Sequence, residues 1–143
     1  MKFRLFLLVA FYVFWSSAGF PEGTVSLSCR SDTPVRGTNL LDPEFMLAIN
    51  YEKGYATVDS DIIEEAGLDF IRVYELDLGV NRIIISYKHT PPKRRVLREL
   101  NALSFSVPAD YRISFDRTKL SFRHEFVRGS ANMGRITGKC VRN

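Results

Sequence analysis

Two histidines, a group of four carboxylates and two cysteines are the residues of this 143-residue chain whose types could do chemistry. His89 lies in Lys88-His89-Thr90-Pro91-Pro92, a stretch that reads as an exposed loop, where an imidazole could touch a ligand. His124 alternates with Leu120, Phe122 and Phe126. Strand periodicity therefore puts it on their apolar face, with Arg123 and Glu125 on the other. Such a histidine is either half-buried and held by one hydrogen bond or, in a barrel, the polar residue of a pocket. Asp59, Asp61, Glu64 and Glu65 are the densest carboxylates. Paired carboxylates do acid/base work when burial separates their pKa values, and Asp59-Ser60-Asp61 lacks the continuation of an EF-hand calcium loop. A solvated acidic edge is the expectation. Ser26, Ser28 and Ser121 have no G-x-S-x-G elbow around them, and the sequence carries no phosphate loop, HExxH or clustered-cysteine metal pattern. The expectation is a binding protein and not an enzyme, with no metal and no cofactor.

Cys29 and Cys140 have neither CxxC spacing nor a nearby histidine, which leaves a structural disulfide as their expected role in an oxidising compartment. The start of the chain points to that compartment. Met1-Lys2-Phe3-Arg4 is basic, Leu5 to Trp15 is an unbroken apolar run, and Ser16-Ser17-Ala18 is a small-residue cleavage site. Together these read as a secretory signal peptide cut after Ala18. Eleven apolar residues fall short of the roughly 20 that a membrane span needs. The expected organisation is a signal peptide over 1–18 and a single β-rich domain over 19–143, periplasmic or secreted, with no stable membrane span. A bond between Cys29 and Cys140 would bring the first and last strands together, as in a closed barrel or a sandwich.

The elements that must carry these residues are mostly strands. Thr24 to Cys29 alternates, and Phe45, Leu47, Ile49 and Tyr51 share a face before Glu52-Lys53-Gly54 turns into Tyr55-Ala56-Thr57-Val58. Asp59 to Gly67 fits either a short capped helical turn or an irregular strand, and the β-branched and aromatic runs that follow favour the strand. Phe70 to Tyr74 and Arg82 to Tyr87 are expected to pair as a hairpin with Asp77 to Asn81 as its turn. Leu97, Leu100 and Leu103 suit a helical turn, and Leu103 to Val107 alternates like a strand. Tyr111-Ile113-Phe115 and Leu120-Phe122-His124-Phe126 alternate clearly, and a short last strand is expected near Ile136 and Cys140. About eight strands without a long helix predict an all-β or mainly β antiparallel barrel or sandwich, with at most one short helix and its terminal strands joined by the disulfide.

Tyr111-x-Ile113-x-Phe115-Asp116-Arg117, followed by a strand and then Gly138-Lys139-Cys140, resembles the ending of small uncharacterised secreted and periplasmic proteins of Gram-negative bacteria. Those proteins pair an early strand cysteine, here Cys29 within Leu27-Ser28-Cys29, with a Gly-x-Cys near the end. Their turn after Asp-Arg contains Thr-Gly, whereas this chain has Thr118-Lys119-Leu120. In size, secretion and barrel form the chain is also similar to periplasmic inhibitors of C-type lysozyme. That resemblance implies an inhibitor of a cell-envelope hydrolase as one function to weigh.

Charge is unevenly spread. The formal net charge of +4 becomes +2 without Lys2 and Arg4, yet residues 19–80 carry −8 and residues 81–143 carry +10. If the fold separates the halves, they present opposed fields. Lys88, Lys93, Arg94, Arg95 and Arg98 are the expected attachment patch for a partner protein or an anionic envelope component, with Tyr87 and Tyr111 as rim contacts. No nucleic-acid partner is expected. A small-molecule carrier with an apolar barrel interior anchored by His124 is the main alternative.

Overall fold

Period-two alternation of apolar and polar side chains builds almost all of the structure, a computed structural model that describes residues 23–33, 40–73, 75–92, 95, 109–128 and 130–143. The strands are β1 (Thr24–Ser31), β2 (Glu44–Asn50), β3 (Tyr55–Asp59), β4 (Ile71–Arg72), β5 (Glu75–Leu78), β6 (Arg82–His89), β7 (Ala109–Asp116), β8 (Ser121–Arg128) and β9 (Ala131–Arg142), with one helix, α1 (Asp61–Glu65). All form one antiparallel sheet in the order β4-β3-β2-β1-β9-β8-β7-β6-β5. Strands adjacent in the chain are adjacent in the sheet, except β4 and β5, and the first strand also pairs with the last. β4 and β5 stand at opposite ends of this order but are separated in the chain only by residues 73 and 74, and β4 approaches β6. The sheet is therefore curled into a half-barrel, not stacked as two flat layers. Among the described residues no helix is long and apolar enough to cross a membrane.

Alternate residues of every long strand point inward. Leu27, Leu47, Ile49, Val58, Ile83, Ile85, Ile113, Phe115 and Ile136 are all buried. Cys29 and Cys140 sit directly opposite each other on β1 and β9, with Cα atoms 4.0 Å apart, and are disulfide-bonded as expected. Two residues earlier, Gly138 lets the strands meet: a Cβ there would lie 2.0 Å from the Arg30 carbonyl oxygen and 2.8 Å from the Phe122 ring. Only glycine fits so close an approach.

Three details differ from the sequence expectation. Asp59 to Gly67 is helical over Asp61–Glu65 and not a strand, and the helical turn buries adjacent Ile62 and Ile63 together. The capping acceptor is remote: Ser60 makes no side-chain cap, and Asp42 Oδ2 instead accepts the Ile62 N–H at 2.6 Å. The hairpin partner of β6 is Glu75–Leu78 and not Phe70 to Tyr74, whose first residues pair with β3 through Ile71 and Arg72. Gly79 makes that turn tight, since a Cβ on it would come within 2.5 Å of the Arg82 carbonyl oxygen. The last strand is long, running from Ala131 to Arg142, and the small residues Gly134 and Gly138 lie within it. The expected signal peptide, the helical turn at 97–103 and the strand at 103–107 lie outside the described residues.

Candidate functional site

Strand register decides which of the nominated residues can meet a partner. Tyr87 and Tyr111 cannot be rim contacts: they face inward from directly opposed positions on β6 and β7, buried, with rings stacked 5.0 Å apart at 8°. Burial pushes both phenols well above their usual pKa. Arg95 is not a free attachment cation either. Its guanidinium bonds Glu65 through Nε and Nη2, at 3.0 and 2.8 Å, and Asp42 through Nη1, which raises its pKa further. Lys88 is exposed and lies 3.9 Å from Asp110. Lys93, Arg94 and Arg98 lie outside the described residues.

The histidines belong to the interior. His89 ends β6 and is buried, contrary to its expected place in an exposed loop, because the alternation of Ile83, Ile85 and Tyr87 continues through it. Burial lowers its pKa, and the Ile62 backbone and Asp42 act in the opposite direction. His124 is buried as its period-two position implies, and burial pushes its pKa down to about 3. Its Nε2 lies 2.8 Å from the Tyr87 hydroxyl. The phenol can donate to Nε2 or accept from it, and the imidazole tautomer sets which. Nδ1 of His124, Nε2 of His89 and the Tyr111 hydroxyl have no partner among the described residues. The rings of Phe45, Tyr87, Tyr111, Phe126 and His124 pack with centroids 5.0 to 6.0 Å apart and fill this part of the interior.

The outward positions carry the charge, and the two halves of the chain become two walls. Arg82, Lys88, Arg112, Arg123, Arg135 and Lys139 are exposed on β6 to β9, against the less exposed Asp110, Asp116 and Glu125. On the other wall, a groove of about 780 Å³ is lined by Ser28, Met46 and Val141 and by Glu44, Asp61 and Glu64, with Arg30 and Lys139 among its cations. Asp59 also lines it, its pKa raised chiefly by burial. Glu65 is turned away to Arg95, so the four carboxylates are divided. Among the described residues no group of histidine, cysteine and carboxylate side chains could hold a metal ion.

On the basic wall, Arg82, Lys119, Arg123 and Lys139 surround a polar depression of about 360 Å³. Arg82 and Lys119 flank Asp116, whose pKa is lowered first by the Lys119 backbone N–H. Arg123 and Lys139 form no ion pair among the described residues, unlike Arg30, which holds Glu44 at 2.8 Å. Sequence reasoning missed this depression, although its signal was present: Ser114-x-Asp116, Ser121-x-Arg123 and Thr137-x-Lys139 are the outward partners of the apolar alternation. Comparisons with family profiles, curated proteins and solved structures found no match to the chain.

Proposed function

We propose that the protein is a periplasmic or secreted binding protein that captures an anionic macromolecule on the outer wall of β6 to β9. The observation that carries this reading is Arg123 with Lys139, two exposed cations with no ion pair among the described residues, on a wall with surplus positive charge. A rigid sheet is a good platform for such contacts, because it fixes the spacing of the charges before the partner arrives. The disulfide and the apolar run from Leu5 to Trp15 support an oxidising location. The aromatic rings packed around His124 favour an external over an internal ligand.

The test replaces Arg112, Arg123, Arg135 and Lys139 together by serine and measures retention on immobilised polyglutamate and on heparin across a salt series. The wild type should be held on both and released by salt; the variant should elute early with a flattened salt response. Equal retention of the two proteins refutes the wall as the binding surface.

A second reading, a small-molecule carrier, is favoured by the three buried polar atoms of Tyr111, His89 and His124 that lack partners among the described residues. Buried polar groups are normally satisfied, by protein, water or ligand. The titration behaviour of His124 discriminates between the two readings.

A further inference from the structure

We propose that the depression on β7 to β9 is a subsite for a tetrahedral oxyanion, a phosphate or sulfate group carried by the ligand; this rests on reading the basic wall as the binding surface. The register sets out the donors as a grid. Ser114 stands opposite Arg123 and Arg123 opposite Thr137; in the next outward row Asp116 stands opposite Ser121 and Ser121 opposite Lys139. Directly opposed Cβ atoms in an antiparallel pair are roughly 4.5–5.5 Å apart and diagonal neighbours about 7–8 Å. Arg123 is thus flanked by two hydroxyl side chains, with Lys139 one diagonal away and Ser121 between them.

The carboxylates of the depression are already committed. Asp116 Oδ1 accepts the backbone N–H groups of Thr118 and Lys119 at 3.0 and 2.9 Å, and Arg82 and Lys119 face it. Asp32 Oδ1 accepts from the Thr137 hydroxyl at 3.4 Å. The four cations and two carboxylates around the depression leave a surplus of two positive charges, enough for the two charges of a phosphate monoester or the one of a sulfate ester. The hydroxyls of Ser114 and Ser121 make no hydrogen bond among the described residues and remain available as donors.

Donor geometry separates a phosphate or sulfate from a carboxylate. One guanidinium fork satisfies a planar carboxylate. Here a fork, an ammonium and two hydroxyls rise from three strands, so their donors do not share a plane. A tetrahedral group with three free oxygens can accept from all of them, whereas a carboxylate leaves at least one hydroxyl bonded only to water.

The experiment is amide NMR of the full protein titrated with inorganic phosphate, sulfate or acetate at constant ionic strength. Saturable shifts should centre on Ser114, Ser121, Arg123 and Lys139 with phosphate and sulfate, and be absent with acetate. Arg123→Ala should weaken phosphate binding by about tenfold or more. Ser114→Ala/Ser121→Ala should weaken it severalfold, while leaving retention on polyglutamate unchanged. Vesicles of phosphatidic acid, whose phosphate monoester keeps three free oxygens, against phosphatidylcholine alone, and heparin then distinguish a lipid phosphate from a saccharide sulfate as the source. Acetate shifts equal to those of phosphate, or phosphate shifts that neither saturate nor centre on these residues, overturn the subsite. If the serine-substituted wall is still retained on both polyanions, the wall itself fails; if only the phosphate titration fails, the wall stands without the subsite.

Discussion

His124 supplies the sharpest test of whether the interior is sealed. Folded, its pKa is pushed down to about 3 by burial; unfolded, it titrates near 6.5. Below pH 6.5 the unfolded chain takes up a proton that the native state refuses. This contribution to stability is therefore intact above the unfolded value and is lost as pH falls from 6.5 towards 3. Between pH 7.5 and 5.0 the loss from this one residue is about 2 kcal/mol. The magnitude barely depends on the native value while that stays below about 4. His89, whose pKa burial also lowers, adds in the same direction. The control is Tyr87→Phe/His124→Phe, which removes the imidazole and its 2.8 Å phenol partner together and leaves no half of the bond unsatisfied. Urea unfolding at pH 7.5, 6.0 and 5.0 should show the wild type losing about 2 kcal/mol more than the double variant, a midpoint difference of roughly 1 to 2 M. Parallel pH dependences would refute the reasoning: His124 would then titrate in the native state, water would reach it, and the carrier reading would gain.

Three further outcomes follow from the packing. Gly138→Ala should destabilise by about 1–3 kcal/mol or more in thermal melts, because its Cβ would meet the Arg30 carbonyl at 2.0 Å and neither strand can yield without losing the β1–β9 pairing. Cys29→Ala/Cys140→Ala, which reopens a link across 111 positions, should cost up to about 5 kcal/mol in chemical denaturation yet keep the native circular dichroism, since backbone pairing sets the strand register independently. Arg95→Ala should cost about 3–5 kcal/mol, because Asp42 is left as a buried carboxylate with the Ile62 N–H, whereas Glu65→Gln at the exposed end of the same triad should cost less than about 1 kcal/mol. Equal losses for the last two would show that Asp42 is not the member that needs Arg95.

What could be read in advance was what alternation encodes. β2, β7 and β8 announce themselves because each presents an unbroken period-two face, and that rule alone places His124 on the apolar side; Tyr111 follows the same alternation into the interior, although it was expected at the rim. The Cys29–Cys140 staple was legible because only two cysteines exist. The missed features depend on partners distant in the chain. α1 is capped by Asp42, 20 residues upstream, so no local capping pattern reveals it. Arg95 looks like part of a solvated basic run until Asp42 and Glu65 are brought beside it. His89 follows the alternation of β6 into the interior, yet the two prolines after Thr90 make the same residues look like a loop. The basic depression is hidden for a different reason: its residues come from three strands, each contributing only one or two outward positions to the grid.

The separation of charge into two walls was visible as a division of the chain, and strand connectivity explains why it survives folding. Because neighbouring strands pair, most of each half of the sequence stays together in the sheet, β4 to β1 on one side and β9 to β6 on the other, with only β5 of the −8 half beside β6; a crossover topology would have interleaved the halves and cancelled their fields at short range. Here the halves adjoin at β1–β9, where Arg30 faces Lys139 on one side and pairs with Glu44 on the other. On the proposed reading, a polyanion would be attracted by the surplus positive charge on β6 to β9 and not by the groove, where Asp32, Glu44, Asp59, Asp61 and Glu64 outnumber Arg30 and Lys139. The modest net charge of the whole chain is therefore the wrong guide to its partner. On the proposed reading, the local surplus around Arg123 and Lys139 is what a ligand would meet, and the arrangement of donors at that depression, not total charge, would decide between one anion and another.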